Sequence, residues 1–193
     1  FVVAALMVPG SDVMIENVGI NETRSGIIDV IRAMNGKITL VNERYFGGEP
    51  VADLHIQYTK DLVATTIEGD MIPRLIDEIP ILALLATRAK GITVIKDAEE
   101  LKVKETNRID VTVNQPKAIG AEIKSTDDGM IITGQPEGSF NQASVSSHKD
   151  HRIAMMLCVA SLLIDEPLII EDVESMEISY PDFLKHLNVL LGN

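Results

Sequence analysis

The chain has 193 residues, of which 46% are hydrophobic and 24% charged, and its formal net charge is -12 at neutral pH. This composition is typical of a globular protein with a buried core, large enough for one large domain or two small ones. The acidic balance and an aromatic content of only 4% argue against a nucleic-acid surface, which needs clustered lysine and arginine with aromatics that stack on bases.

The compartment is indicated by the single cysteine, Cys158, which lies in the apolar stretch MMLCVAS. Such a setting predicts a packed thiol and a reducing compartment, so we expect a cytoplasmic protein. The longest apolar run, IAMMLCVASLLI, is shorter than the ~18 to 20 residues that span a bilayer, and no membrane contact is expected. The apolar start FVVAALMVPG follows no basic segment and shows no cleavage pattern, which argues against a signal peptide.

Three segments of the chain repeat one pattern, in which an apolar helical stretch ends at a turn and leads to a β-rich run, a polar linker and a second helix. The turns at Gly10, Gly91 and Pro167 recur at about eighty residues, which is too long for a small solenoid repeat. The linkers of the first two segments also match, with Glu22-Thr23-Arg24 in one and Glu105-Thr106-Asn107-Arg108 in the other.

The first two segments continue into strand-like runs separated by Gly47-Gly48 and by Asp127-Asp128-Gly129, which predict β-hairpins. Each unit therefore reads as strand, helix, strand, helix, strand, strand. The expected fold is α/β or α+β, with three helix pairs packed around the repeat axis. Because the first unit begins at Phe1 inside its first helix and the third lacks a hairpin, we expect a C-terminal piece of a longer protein, with a strand from elsewhere completing the third unit.

Cations gather in the stretch LKVKETNRID, which contains Lys104, Glu105 and Arg108. A cluster of this size is ordinarily a solvated helix start, but this one lies at the strand-to-helix junction of the middle unit, where helix N-termini present amides to anions. Arg152 is predicted in the first turn of another helix, where the helix dipole disfavours a cation. A small anionic ligand would account for both positions.

Asp77 stands before an apolar helix, beside Glu78, and is either an N-terminal cap or a catalytic base. His148 and His151 have the spacing of a metal pair, but the sequence offers no third ligand at suitable spacing, so no metal site is predicted. The sequence also contains no phosphate-binding glycine loop and no nucleophile elbow, which leaves nucleotide binding and covalent catalysis without support.

Three stretches in this order, IPRLIDEIPILALLATRAKG, DAEELKVKETNRI and DHRIAM, resemble the 5-enolpyruvylshikimate-3-phosphate synthase family. The resemblance extends over essentially the whole chain, through NVGINETRSGIIDVIRAM and SYPDF. It implies an enolpyruvyl transferase-like domain of three βαβαββ repeats around a pseudo-threefold axis. Residues 1–193 would form the C-terminal domain of a two-domain enzyme, with the first repeat truncated and the N-terminal domain absent.

The resemblance further implies transfer of the enolpyruvyl group from phosphoenolpyruvate to the 5-hydroxyl of shikimate 3-phosphate, with release of phosphate, in the shikimate pathway of aromatic amino-acid biosynthesis. This scheme requires no metal or organic cofactor. The expected partners are the two substrates and the N-terminal domain, and the chain is expected to be a monomer that is inactive alone. The alternatives are the sibling enolpyruvyl transferase acting on UDP-N-acetylglucosamine and a non-catalytic binding domain with the same fold.

Roles for single residues also follow from the resemblance. Asp77 would contact shikimate 3-phosphate and take part in proton removal from its 5-hydroxyl, and Lys104 would lie near that hydroxyl. Glu105 would transfer a proton at the phosphoenolpyruvate methylene. The arginines that bind phosphoenolpyruvate would be Arg108 and Arg152.

The chain departs from the family pattern at two positions. Asn107 stands where many members have aspartate, and we expect altered local hydrogen bonding there rather than lost chemistry. Ile178 stands where some members have a lysine that contacts phosphoenolpyruvate, so that contact is not expected here.

Overall fold

The first repeat unit consists of two helices and three strands. In the computed structural model, which describes residues 1–192, these are α1 (Val2–Met7), β1 (Asp12–Gly19), α2 (Gly26–Ala33), β2 (Lys37–Phe46) and β3 (Glu49–Gln57). Strand β3 lies between β1 and β2 and is antiparallel to both. The hairpin turn is Gly47-Gly48, as predicted, and both glycines have positive φ angles of 60° and 88°, which glycine adopts without a steric penalty.

The second unit is the most complete of the three. Its elements are β4 (Thr66–Ile67), α3 (Ile79–Ala86), β5 (Ile92–Ile95), α4 (Arg108–Ala118), β6 (Glu122–Ser125) and β7 (Met130–Thr133). The strand order is β4-β5-β7-β6, in which β4 is parallel to β5 and the remaining pairs are antiparallel. Short 3-10 turns at Gly69–Arg74, Ile76–Glu78 and Glu99–Val103 precede its two helices.

The third unit contains β8 (Ser144–Ser146), α5 (His151–Ser161), β9 (Ile169–Glu171) and α6 (Phe183–Leu190). Strands β8 and β9 pair in parallel. The β-rich run that the repeat pattern predicts after the first helix of this unit is short, because only Ile169–Glu171 is strand. Asp172 then takes a left-handed backbone conformation with φ 55°, and the chain continues as a 3-10 turn over Val173–Ile178.

The first and third units each share part of the sheet topology of the second, which confirms the predicted fold of βαβαββ repeats. The order β1-β3-β2 in the first unit equals β5-β7-β6 in the second, and the parallel pair β8-β9 equals β4-β5. The repeat therefore brings the start of each helix to an equivalent place in its unit.

The first helix of each unit lies in a common core. Helix α3 packs against α1, α4 and α5, and nearly all of its side chains are buried: Ile79, Pro80, Leu82, Ala83, Leu84, Leu85 and Ala86. A helix that is apolar all round is expected in the interior of a protein. Within residues 1–192, no helix is both long and apolar enough to cross a membrane. The N-terminal ends of α3 and α5 lie near each other, because Arg152 in the first turn of α5 pairs with Asp77 and Glu78 just before α3.

Candidate active site

Asp150 begins the site by fixing the start of α5. Its side chain accepts hydrogen bonds from the backbone N–H groups of Arg152 (2.9 Å) and Ile153 (3.4 Å), which makes it the N-terminal cap of the helix. Although it is charged, Asp150 is fully buried. A buried carboxylate requires a cation as a partner.

That partner is Arg108, the first residue of α4, whose side chain is only 1% exposed. Its Nε donates to Asp150 Oδ2 at 2.7 Å and its Nη1 to Asp77 Oδ1 at 3.1 Å, while Nη2 donates to the Glu105 carboxylate. A guanidinium is suited to this task because its donors point in fixed, coplanar directions. One arginine therefore orients three carboxylates from three parts of the chain.

The second arginine of the site, Arg152, is shared between two neighbouring carboxylates. Its Nη2 donates to Asp77 Oδ2 at 3.2 Å, and its Nη1 lies 3.8 Å from Glu78 Oε1. The side chain is 33% exposed, and its buried Nε has no hydrogen-bond partner among the residues that the structure describes. Burial raises the pKa of Glu78, and the charge of Arg152 opposes that rise.

These contacts bear on the interpretation of Asp77 as an N-terminal cap. The residue lies in the 3-10 turn Ile76–Glu78, and its two oxygens accept from Arg108 and Arg152 rather than from the N-terminal amides of α3. The residue before α3 is Glu78, and it forms no side-chain cap. The geometry therefore does not fit the interpretation of Asp77 as a cap, and its role as a catalytic base stays a prediction.

Lys104 is separate from this cluster. Its ammonium donates to the carboxylate of Glu100, four residues earlier, and its side chain is 23% exposed. The structure thus brings together four of the five predicted site residues, Asp77, Glu105, Arg108 and Arg152, through direct ion pairs. Lys104 would have to leave Glu100 to reach a ligand in the cluster.

Asn107 caps α4 next to the cluster. Its side-chain oxygen accepts from the backbone N–H of Asp110 at 3.4 Å, and its amide nitrogen donates to Asp110 Oδ2 at 2.6 Å. An aspartate in its place could accept the first bond but could not donate the second. Local hydrogen bonding at this turn therefore depends on the amide, while Arg108 keeps its carboxylate partners.

Two cavities open beside the ion pairs, and both are lined by Asp77, Glu78 and Arg152. One, of about 230 Å³, is mainly apolar and includes Ile81 and Met155. The other, of about 280 Å³, is polar, and its remaining lining residues are Arg24, Pro73, Arg74, Leu75 and Ile76. Carboxylates and arginines beside a cavity of this size can move protons and bind a small anion.

Comparison with known families gives a match over nearly the whole chain. The sequence model of the family described as EPSP synthase (3-phosphoshikimate 1-carboxyvinyltransferase) matches residues 1–187. The chain belongs to the EPSP synthase family. The matched range contains all of the stretches from which the resemblance was inferred.

Curated relatives agree with the family match. The 3-phosphoshikimate 1-carboxyvinyltransferases of Staphylococcus epidermidis (strain ATCC 12228 / FDA PCI 1200) and Staphylococcus aureus (strain Newman) are each 53% identical to this chain over 190 residues. The match covers 98% of this chain but 43% of each relative. This EPSP synthase family chain therefore spans less than half the length of the curated relatives it matches.

Solved structures agree with the fold. The EPSP synthase from Acinetobacter baumannii superposes with a TM-score of 0.93 at 39% identity, over 98% of this chain and 44% of that one. The enolpyruvyl transferase NikO from Streptomyces tendae gives a TM-score of 0.73 at 18% identity, over 98% of this chain and 41% of that one. The second likeness concerns the fold alone.

Three residues of this family member were not predicted as part of the site. Asp150 anchors Arg108, Glu78 lies beside Arg152, and His151 Nδ1 lies 3.9 Å from Glu105 Oε1. A signal for Asp150 was present in the sequence, since it precedes the first helix of its unit as Asp77 does. Among residues 1–192, no three His, Cys, Asp or Glu side chains form a group that could hold a metal ion.

Proposed function

We propose that this chain supplies half of an active-site cleft for transfer of the enolpyruvyl group from phosphoenolpyruvate to the 5-hydroxyl of shikimate 3-phosphate. The observation that carries the proposal is the bridge of Asp77 to Arg108 and Arg152 beside a polar cavity. The family match supports shikimate 3-phosphate over UDP-N-acetylglucosamine as the acceptor. Residues 1–193 act as the C-terminal domain, and the rest of the cleft comes from the part of the relatives' length that this chain does not span.

Proton transfer is assigned to two carboxylates. Asp77 contacts shikimate 3-phosphate and accepts the proton of its 5-hydroxyl while the oxygen attacks the central carbon of phosphoenolpyruvate. Glu105 delivers a proton to the methylene carbon, which gives a tetrahedral intermediate. When the bond to phosphate breaks, Glu105 takes a proton back from the new methyl group and the enol ether is formed. General acid and base groups of this kind each contribute about 10²- to 10⁴-fold in rate.

Binding is assigned to the cations. Arg152 is partly exposed and can bind the phosphate or carboxylate of phosphoenolpyruvate through paired hydrogen bonds. Arg108 is buried, so a ligand that binds it replaces Glu105 or Asp77 as its partner. Lys104 contacts shikimate 3-phosphate after releasing Glu100. These cationic side chains bind the substrates and stabilise the negative charges of the intermediate. The scheme uses no metal or organic cofactor.

The setting of the reaction is part of the same proposal. The chain acts in the cytoplasm as a monomer and binds its two small substrates and the rest of the enzyme, without nucleic acid or membrane. Its acidic charge supports the expectation of no nucleic acid, and its one buried cysteine supports the cytoplasm.

The proposal is tested by phosphate release from phosphoenolpyruvate and shikimate 3-phosphate. The chain is assayed alone and with a separately expressed polypeptide that supplies the rest of the relatives' length. We expect turnover only when both are present, and a loss in kcat of about 10²- to 10⁴-fold for Asp77→Asn and for Glu105→Gln. Glu122→Gln, on the exposed face of β6, is the matched control and keeps full activity.

Other outcomes would contradict the proposal. Turnover by the chain alone would show that it does not need a second half. Phosphate release that depends on UDP-N-acetylglucosamine would assign the sibling reaction. Association of the two polypeptides without any turnover would favour a non-catalytic binding domain.

A further inference from the structure

Arg24 is a cation that the proposed mechanism does not use. It lies in the turn between β1 and α2 of the first unit, the counterpart of the turn that carries Glu105 in the second. The turn is fixed by Asn21, whose carbonyl accepts from the Arg24 N–H at 2.9 Å and whose side chain accepts from the Thr23 N–H at 3.1 Å. The backbone position of Arg24 is therefore well defined.

Three arginines line the polar cavity of about 280 Å³: Arg24, Arg74 and Arg152. Arg74 is occupied, because its Nε donates to the carbonyl of Glu22 at 2.6 Å and its Nη2 to Asp29 Oδ2 at 2.7 Å. Arg152 has two carboxylate neighbours and an Nε without a partner. Among residues 1–192, the exposed side chain of Arg24 makes no hydrogen bond and no ion pair, so its donors are available to a ligand.

Arg24 and Arg152 act on the same part of the cavity. Burial raises the pKa of the Glu78 carboxyl, and the charges of Arg152 and Arg24 both oppose that rise. Arg24 is thus close enough to Glu78 to influence it, although the two side chains form no ion pair within the described chain. The two arginines come from different repeat units and line one cavity together with Glu78.

We propose that Arg24 and Arg152 together bind one phosphate group of a ligand in this cavity. Paired guanidinium groups match the oxygens of a phosphate, and a cavity of about 280 Å³ can hold one. Arg24 is then a binding residue contributed by the first unit to a site whose other charged groups come from the second and third. Which substrate supplies the phosphate rests on the proposed function.

Phosphate binding by the chain is the first test, with inorganic phosphate as the probe and calorimetry and the thermal shift as readouts. A charge-assisted hydrogen bond is lost in Arg24→Gln and in Arg152→Gln, so each should bind phosphate about tenfold more weakly. Arg24→Lys keeps the charge and should lose less than Arg24→Gln. The control is Arg32→Gln, which removes the same charge from an exposed position in the last turn of α2 and should bind as the unaltered chain does.

A double variant tests whether the two arginines bind the same group. If they do, the fold-loss of phosphate affinity in the double variant, which carries both Arg24→Gln and Arg152→Gln, differs from the product of the fold-losses in the two single variants. The proposal is overturned if Arg24→Gln binds phosphate normally, if Arg32→Gln weakens binding as much, or if the unaltered chain binds none. Circular dichroism checks that every variant is folded.

Steady-state kinetics identify which of the two substrates supplies the phosphate group that Arg24 and Arg152 bind. In the protein assembled from both polypeptides, Arg24→Gln should raise KM about tenfold for either phosphoenolpyruvate or shikimate 3-phosphate, whichever donates the bound group, with kcat nearly unchanged. An unchanged KM for both substrates would count against Arg24. If the assembled protein shows no turnover, the proposed function fails, while the phosphate titration still decides the role of Arg24.

Discussion

Arg108 contacts carboxylates that are far from it along the chain. Asp77 lies 31 positions before it and Asp150 lies 42 positions after it, and Asp150 is fully buried. Moving the charges of Arg108 and Asp150 out of water costs free energy. That cost is offset because the two side chains are hydrogen-bonded to each other and the other donors of Arg108 bond to Asp77 and Glu105. The site residues therefore also hold the fold together, and substituting them should lower the free energy of unfolding.

Removal of Arg108 is expected to destabilise the whole chain. Arg108→Ala leaves Asp150 as an uncompensated buried charge, a change that typically costs about 3–5 kcal/mol. Arg108→Lys keeps the charge but loses the paired donors, so its loss should be smaller. Urea unfolding followed by circular dichroism measures both.

The matched control is Lys96→Ala, which breaks a solvent-exposed ion pair with Glu68. Water and salt screen such pairs, so this variant should lose much less stability than Arg108→Ala. An Arg108→Ala loss no larger than that of the control would contradict the view that the buried cluster holds these segments together.

The residue types of the site were readable from the sequence, but their contacts were not. The resemblance pointed to Asp77, Glu105, Arg108 and Arg152, and the structure brings these side chains together. It could not show that Arg108 is buried, since burial depends on elements distant in sequence. Lys104 was grouped with the site because of its position, whereas its side chain turns back to Glu100 within the same segment.

At the scale of elements, the antiparallel sheet of the first unit has an irregularity in each of its outer strands. The register shifts between Ile15 and Val18 in β1 and between Val41 and Arg44 in β2. At these points Asn17 and Asn42 take positive φ angles of 58° and 52°. Asparagine tolerates this conformation better than most residues, so each bulge has a suitable residue at its centre.

Asp53, on the central strand β3, ties the two bulges together. Its Oδ1 accepts from the backbone N–H of Asn17 at 2.8 Å and from Arg44 at 3.0 Å, and its Oδ2 accepts from the side chain of Asn42 at 2.8 Å. The hydrogen bond from Asn17 contributes most to a pKa for Asp53 of about 2, with smaller contributions from Asn42 and Arg44.

These contacts predict a pH-dependent contribution to stability. Because the pKa of Asp53 is lower in the folded state than its ordinary value of 3.8, its contribution is present above that value and is lost as pH falls toward about 2. Asp53→Asn should therefore lower the melting temperature at neutral pH, and its difference from the unaltered chain should shrink as pH falls through this window. Thermal unfolding at a series of pH values measures it.

Asp61→Asn is the control for this experiment. Asp61 is exposed, and its carboxylate makes no hydrogen bond to another described residue. Its substitution should leave the pH dependence of the melting temperature unchanged. A constant difference for Asp53→Asn across the same range would show that the carboxylate does not hold the bulges.

The hairpins were predicted and the bulges were not, for a physical reason. Gly47-Gly48 is a local signal, because two residues with positive φ are needed between two strands and glycine supplies them. A bulge depends on which residues lie opposite it on the neighbouring strand, and that register is set by long-range pairing. Likewise, β9 ends at Glu171, and the β-rich composition of this segment did not reveal the left-handed conformation of Asp172, which follows it.

At the scale of the whole molecule, the three repeat units share one core. Buried residues of all units form a continuous cluster, and α3 at its centre contacts helices of the first and third units. Repeats that meet only their neighbours in a line can unfold separately, but units that close around a common core depend on each other. The molecule is therefore expected to unfold as one cooperative unit.

Leu84, which is fully buried in α3, tests this expectation. Leu84→Ala should lower the free energy of unfolding by about 2–5 kcal/mol, because it removes buried apolar contacts and leaves a cavity. The slowest-exchanging amides of β3 in the first unit and of β7 in the second should lose hydrogen-exchange protection by the same factor. Val103→Ala, at a position 80% exposed, should change stability by no more than about 0.5 kcal/mol. Loss of protection in β7 with none in β3 would show instead that the units unfold independently, and the shared core would then not account for the stability of the chain.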